Sequence, residues 1–266
     1  MNLDNIANQV SEIAFSAGDA ILKVYDSDFD YQIKSDKSPL TEADIKSHQI
    51  ISKKLSKLTP SIPVLSEEES IKYEIRSSWK KYWLIDPLDG TKEFVKKNGE
   101  FTVNIALIEN NRPILGVILQ PTNKKIYIGF DGGGSSVSID KEKAKNIFVN
   151  FSSNNEIKFA VSRSHPSSYL EKYLSNFKKI KKIAIGSSLK FCLLAEGKAD
   201  VYPRFGPTSE WDTGAGQAIL EFAGGSVINQ NGKKLEYNKK KDLINGYFLA
   251  ISSQDQKILN TYIDHM

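Results

Sequence analysis

The stretch Trp83–Phe94, WLIDPLDGTKEF, runs an apolar segment straight into two acids, a proline, a glycine and a threonine. Tyr82–Ile85 read as a buried strand. Pro87 has no N–H for a sheet ladder and keeps Asp86 extended, so the strand is expected to end at Asp86. Asp89 and Gly90 then form a tight turn, and Thr91–Phe94 begin a helical turn whose free N–H groups face the same place. One short loop therefore offers hard anionic oxygens beside amide donors. Two like charges at a strand end repel unless a cation is expected there, and this pairing suits a divalent hard cation held together with a phosphate. A turn-shaping aspartate accounts for Asp89–Gly90, but not for a second acid closing an apolar strand.

Upstream, TEADIKSHQIISKKLSKL (Thr41–Leu58) reads as a helix with Thr41 as N-cap and Asp44 three residues on, a weak capping box. Asp44, His48, Ile51 and Leu55 fall on one inward face, which makes Asp44 a carboxylate on the core side. Spacing alone leaves capping and chemistry equally open for it. Ile6, Val10, Ile13, Ala17 and Ile21 form the apolar stripe of an earlier amphipathic helix. SIPVLSEEES (Ser61–Ser70) is a short strand ending in Glu67, Glu68 and Glu69, which in isolation is an ordinary solvated acidic loop.

Downstream, FTVNIALI and PILGVILQP flank ENNR as a hairpin, and KKIYIGF adds a third strand before the turn-rich DGGGSS. Those glycines make turns, since the Lys-Ser/Thr of a phosphate loop is missing. From about Ile157 strands and helices alternate. Asn150–Glu156, rich in turn formers, is the expected boundary between an α+β unit (1–150) and an α/β unit (151–266). In SEWDTGAGQAILEFAGG, Asp212 stands in the first turn of a helix ending at Gly224–Gly225, where stabilising the helix N-terminus is its ordinary job.

At 266 residues and 40% hydrophobic content the chain can bury a sizeable core. Its 36 basic and 32 acidic residues leave +4, too little to argue for nucleic acid, and the runs Lys179–Lys182 and Lys239–Lys241 read as solvated surface. A lone cysteine, Cys192, excludes an intramolecular disulfide framework and fits a reducing compartment; among Phe191, Leu193 and Leu194 it reads as a buried structural residue. Nothing resembles a signal peptide, and no segment reaches the roughly 18 apolar residues that span a bilayer, so the expected place is the cytoplasm.

VLSEEE, WLIDPLDGT and WDTGAG together resemble the inositol monophosphatase superfamily of Mg2+-dependent, lithium-sensitive phosphatases, in their order and spacing. SPLTEAD, the long stretch from WLIDPLDGTKEF to GVILQP, VSRSH and GSSLKFCLLAEGKADVYPRFGPTSEWDTGAGQA are similar to its CysQ-type 3′(2′),5′-bisphosphate nucleotidase branch. The resemblance implies a layered α/β/α/β/α sandwich with the metal site between two subdomains. It also implies hydrolysis of 3′-phosphoadenosine 5′-phosphate (PAP) to AMP and phosphate by a metal-activated water, with the sulfated nucleotide PAPS as a second substrate. The alternative is an inositol monophosphatase or another small phosphomonoesterase of the same superfamily.

Residue by residue, the resemblance makes Glu67, Asp86, Asp89, Asp212 and the Leu88 carbonyl the ligands of roughly two or three Mg2+ ions, with Glu68 a weaker candidate acting through water. Asp44 becomes the proton acceptor, paired with Thr91. The 3′-phosphate would sit on the amides of Gly90 and Thr91, and Ser162, His165, Ser187 and Lys190 would meet the nucleoside side. Arg204 is a candidate contact for the second phosphate. Members are often dimers; the sequence leaves monomer and homodimer both open.

Overall fold

The structure, a computed structural model, describes residues 2–28, 30–33, 39–151, 156–164 and 167–266. The chain opens with α1 (Leu3–Tyr25), a short antiparallel pair β1 (Tyr31–Ile33) and β2 (Pro39–Thr41), and α2 (Glu42–Leu58). Next come β3 (Val64–Ser66), α3 (Tyr73–Arg76), β4 (Lys81–Asp89), α4 (Thr91–Val95), β5 (Thr102–Glu109), β6 (Arg112–Gln120), β7 (Lys125–Phe130), β8 (Gly134–Ile139) and β9 (Lys145–Ile147). The second half holds β10 (Ile157–Ser162), α5 (Ser168–Leu174), β11 (Ile180–Ile185), α6 (Leu189–Ala195), β12 (Val201–Arg204), α7 (Glu210–Phe222), β13 (Ser226–Asn229), β14 (Phe248–Ile251) and α8 (Gln256–Ile263). The last strand and helix have no counterpart in the sequence reading.

Strands β3 to β9 form a seven-stranded sheet in chain order, parallel only at β3–β4. A five-stranded sheet runs β11-β10-β12-β14-β13, parallel on one side of β12 and antiparallel on the other. Strand alternation separates the cores. On β5, Val103, Ile105 and Leu107 join the α1 and α2 side, whereas Ala106 and Ile108 join the core shared with α6 and α7. On β14, Phe248 and Ala250 face that same middle core, and Leu249 and Ile251 face α5 and α8. The layers are thus helices, sheet, helices, sheet, helices, as the resemblance implies. Fully buried Val10 and Ile21 of α1 each contribute roughly 1.5–3 kcal/mol of transfer free energy to the first layer contact.

Strand β4 departs from expectation. It does not stop at Asp86: the ladder pairs Asp86 with Asn104 and then Asp89 with Thr102, so one extra residue is squeezed out at Pro87–Leu88. A proline has no ladder N–H to lose, which makes a bulge the place for it. The extra residue also changes the parity of the strand. Three apart, Asp86 and Asp89 would point to opposite faces of a regular strand. With the bulge both share the face of their partners Asn104 and Thr102, the face covered by α6 and α7.

The expected boundary Asn150–Glu156 falls partly on residues 152–155, outside the described residues. No helix among the described residues is long and apolar enough to cross a membrane. Cys192 is buried, and burial raises its thiol pKa well above the usual range, in keeping with a structural role.

Candidate active site

Asp86 and Asp89 come from the bulge of β4 and Asp212 from the first turn of α7, and one carboxylate oxygen from each lies within 4.8 Å of the others. α7 reaches the sheet because Gly116 on β6 lacks a side chain; a Cβ there would stand 2.3 Å from the Ala215 carbonyl. Each acid spends one oxygen on a neutral protein donor. Leu88 N donates to Asp86 Oδ1 at 3.1 Å, Ser188 Oγ to Asp89 Oδ2 at 2.7 Å and Ser209 N to Asp212 Oδ2 at 2.9 Å. Their remaining oxygens have no protein hydrogen-bond donor among the described residues.

The electrostatics follow from that crowding. Burial, and then Glu67, Asp89 and Asp212, push the Asp86 carboxyl well above the usual range. Asp212 is raised as well, by burial first and then by Asp89 and Glu67. Glu67 lies in the same cavity, although its carboxylate is not part of the tight triad. Glu68 does not line the cavity; its N–H donates to Ser66 Oγ at 3.3 Å.

Asp44 caps its helix and also reaches toward Thr91. Its Oδ2 accepts from Thr41 N at 2.7 Å and Thr41 Oγ1 at 2.6 Å, the capping box of α2. Its Oδ1 lies 3.5 Å from Thr91 Oγ1, which is also 3.4 Å from the Leu88 carbonyl. Ser47, one turn on, donates to the Pro87 carbonyl at 2.7 Å and docks α2 on the bulge. His48 does not line the cavity and shares a 2.9 Å hydrogen bond with Ser66 beside Glu67.

A cavity of about 890 Å³ opens over these groups. Its walls include Leu88, Gly90 and Thr91 from the first half, and Ser162, Ser187, Lys190 and Arg204 from the second. Gly90 has φ +91° and would place a Cβ 3.2 Å from that of Ser187, so the two halves meet closely there. Lys190 is buried, donates to the Ser187 carbonyl at 2.5 Å, and has its pKa lowered to about 8 by burial. Arg204 donates to the Pro207 carbonyl at 2.8 Å, while its Nε is buried without a partner. His165 lies outside the described residues.

Several residues in or beside the wall were given no role by the sequence reading. Arg163 binds both oxygens of Glu100 at 2.7 Å, and Gly186 N donates to Glu100 Oε2 at 2.8 Å. Ser164 donates to buried Glu93 at 2.5 Å. Asn104 and Ser188 are also new; an asparagine amid the apolar run FTVNIALI was the one available cue.

The sequence profile described as the Inositol monophosphatase family matches residues 2–264. Over 248 residues the chain is 47% identical to the 3′(2′),5′-bisphosphate nucleotidase CysQ of Salmonella typhimurium, covering 90% of this chain and 97% of that protein. The CysQ of Escherichia coli K12 is 45% identical over 249 residues, covering 91% and 97%. The crystal structure of CysQ from Bacteroides thetaiotaomicron superimposes with a TM-score of 0.83 at 40% identity, covering 94% of this chain and 98% of that one. With its profile, its relatives and its five layers in agreement, the chain belongs to the inositol monophosphatase family.

Proposed function

We propose that the chain is a Mg2+-dependent 3′(2′),5′-bisphosphate nucleotidase that hydrolyses PAP to AMP and phosphate. The carrying observation is the content of one cavity: three clustered carboxylates for cations, together with Lys190 and Arg204. Those two cations suit a second anionic group, which a nucleoside bisphosphate has and an inositol monophosphate lacks. Proteins named as this nucleotidase match nearly the whole chain.

Carboxylates and a main-chain carbonyl, without sulfur or imidazole, are a hard oxygen donor set that fits Mg2+. Asp86, Asp89, Asp212, Glu67 and the Leu88 carbonyl would hold the ions. Bound there, Mg2+ supplies positive charge to the phosphoryl oxygens and makes nearby water more acidic. The rest is the chain's own work. The Thr91 hydroxyl would orient the attacking water and pass its proton toward Asp44, whose Oδ2 is already fixed by Thr41. The amides of Gly90 and Thr91 would receive phosphoryl oxygens, while Lys190 and Arg204 hold the second phosphate and Ser162 and Ser187 the nucleoside side. This reading divides the chain near residue 150, joins the two units at the cavity and puts the enzyme in the cytoplasm.

The test is phosphate release from PAP and from inositol 1-phosphate, with and without Mg2+, repeated for Asp89→Asn. A tenfold preference for the inositol ester in kcat/KM, or full activity of the variant, overturns the reading.

A further inference from the structure

Asp89 is the best supported of the three acids, and its support reaches away from the cavity into β5. Thr102 Oγ1 donates to Asn104 Oδ1 at 2.9 Å, which fixes the amide so that Nδ2 faces outward from the strand. Asn104 Nδ2 donates to Ser188 Oγ at 2.9 Å and lies 3.4 Å from Asp89 Oδ2. Ser188 Oγ, with a lone pair so occupied, is 2.7 Å from Asp89 Oδ2 and 2.9 Å from the Asp212 carbonyl oxygen.

The single hydroxyl proton of Ser188 can serve only one acceptor at a time, and the shorter distance favours Asp89 Oδ2. All three relay residues are buried: Thr102 is 0% exposed, Asn104 1% and Ser188 2%. Inside such a low-dielectric region a fully satisfied chain of hydrogen bonds holds one arrangement. The relay also crosses the molecule. Thr102 and Asn104 belong to the seven-stranded sheet, Ser188 precedes α6, and Asp212 opens α7.

We propose that Thr102, Asn104 and Ser188 are positioning residues that lock Asp89 by its Oδ2 and leave its other oxygen to a divalent cation. Metal ligands whose second oxygen is fixed by a neutral donor lose less freedom on binding, and deleting such donors typically weakens metal binding about 10–100-fold. The inference rests on the metal-site reading above, and its test separates the two.

The experiment titrates Mn2+ alone into metal-free protein and reads Kd, with the Mg2+ dependence of activity and the unfolding temperature of the metal-free protein alongside. Ser188→Ala is expected to raise Kd about 10–100-fold, and Thr102→Val, an isosteric loss of the hydroxyl, to raise it several-fold. Thr102→Ser keeps the donor and is expected to bind as the wild type does. The Mg2+ needed for half-maximal rate should rise in step with Kd, with kcat at saturating Mg2+ nearly unchanged. Asp89→Asn tests the parent reading: if the wild type does not bind Mn2+, or Asp89→Asn binds it as tightly as the wild type does, the metal site itself is misassigned. If wild type binds, Asp89→Asn does not, and both hydroxyl deletions bind as tightly as wild type, the relay is overturned. Should Ser188→Ala fail to unfold cooperatively, the Thr102→Val and Thr102→Ser pair decides alone.

Discussion

Arg163 grips both carboxylate oxygens of Glu100 at 2.7 Å, joining the end of β10 to the segment that leads into β5. Glu100 also accepts Gly186 N, so three chain segments around the cavity meet on one carboxylate. Arg163 is 45% exposed, and a pair that open is worth little to stability, about 0–1 kcal/mol. Its expected contribution is to position Ser162 and Ser187. Arg163→Met should therefore shift the unfolding temperature by only a few degrees while raising KM for PAP several-fold. Glu100→Ala should cost more in both, because it also strands the Gly186 N–H. A KM unchanged in both variants refutes the positioning role.

Asp44 and Asp212 share a device: each is the third residue of a helix and closes a capping box, with Thr41 and Ser209 respectively. The cap fixes one carboxylate oxygen and aims the other into the site. Asp44→Asn and Thr91→Val should each lower kcat by about 10²–10⁴-fold, the usual range for a lost proton acceptor, with Mn2+ affinity within a few-fold of wild type. Combined, they should cost little more than either alone, since both act on one proton. Additive losses in the double variant would separate their roles.

Asp86 was legible because it closes an apolar strand, whereas Asp44 and Asp212 stand in first turns where a capping acid is ordinary, and only the family motifs gave them a further role. What places them together was not legible. The bulge at Pro87–Leu88 is a matter of register with β5, and a proline signals only that the ladder is interrupted, not that the strand resumes. Ser188 reaches Asp89 across 99 positions of chain, a separation at which no periodicity carries information. Likewise β14 and α8 follow a polar stretch, Asn229–Asn245, whose pattern gives no hint that the next strand inserts antiparallel between β12 and β13.

The raised carboxyls fix how stability depends on pH when no cation is bound. A folded-state pKa above the ordinary aspartate value of 3.8 means that the native protein holds protons the unfolded chain has released. Stability is then full below that value and falls as pH rises through the raised pKa values of Asp86 and Asp212. The unfolding temperature of metal-free Asp86→Asn should accordingly gain on that of the metal-free wild type from about pH 4 upward. Saturating Mg2+ should flatten the slope, and binding should release protons into weakly buffered solution. Asp86→Asn should raise the unfolding temperature of the metal-free protein at pH 8 while abolishing activity. A difference between variant and wild type that stays constant over this range would contradict the crowding of the acids.

Gly116 does not line the cavity, yet it packs against the turn of α7 that follows Asp212. A Cβ at this position would meet the Ala215 carbonyl at 2.3 Å, Ala215 Cα at 2.9 Å and Ala218 Cβ at 2.9 Å. None of these atoms is the end of a flexible side chain, so α7 itself must move away from β6. Overpacking of this kind costs about 1–3 kcal/mol. Since α7 carries Asp212 and its cap, the same shift opens the triad that Asp86 and Asp89 complete. Gly116→Ala is expected to fold, to unfold several degrees lower, and to bind Mn2+ more weakly by at least tenfold. By contrast Gly132→Ala, on a turn where a Cβ meets nothing but φ is +80°, should cost stability through backbone strain and leave metal affinity unchanged. Equal affinities in the two variants would show that the spacing between α7 and the sheet does not govern the site.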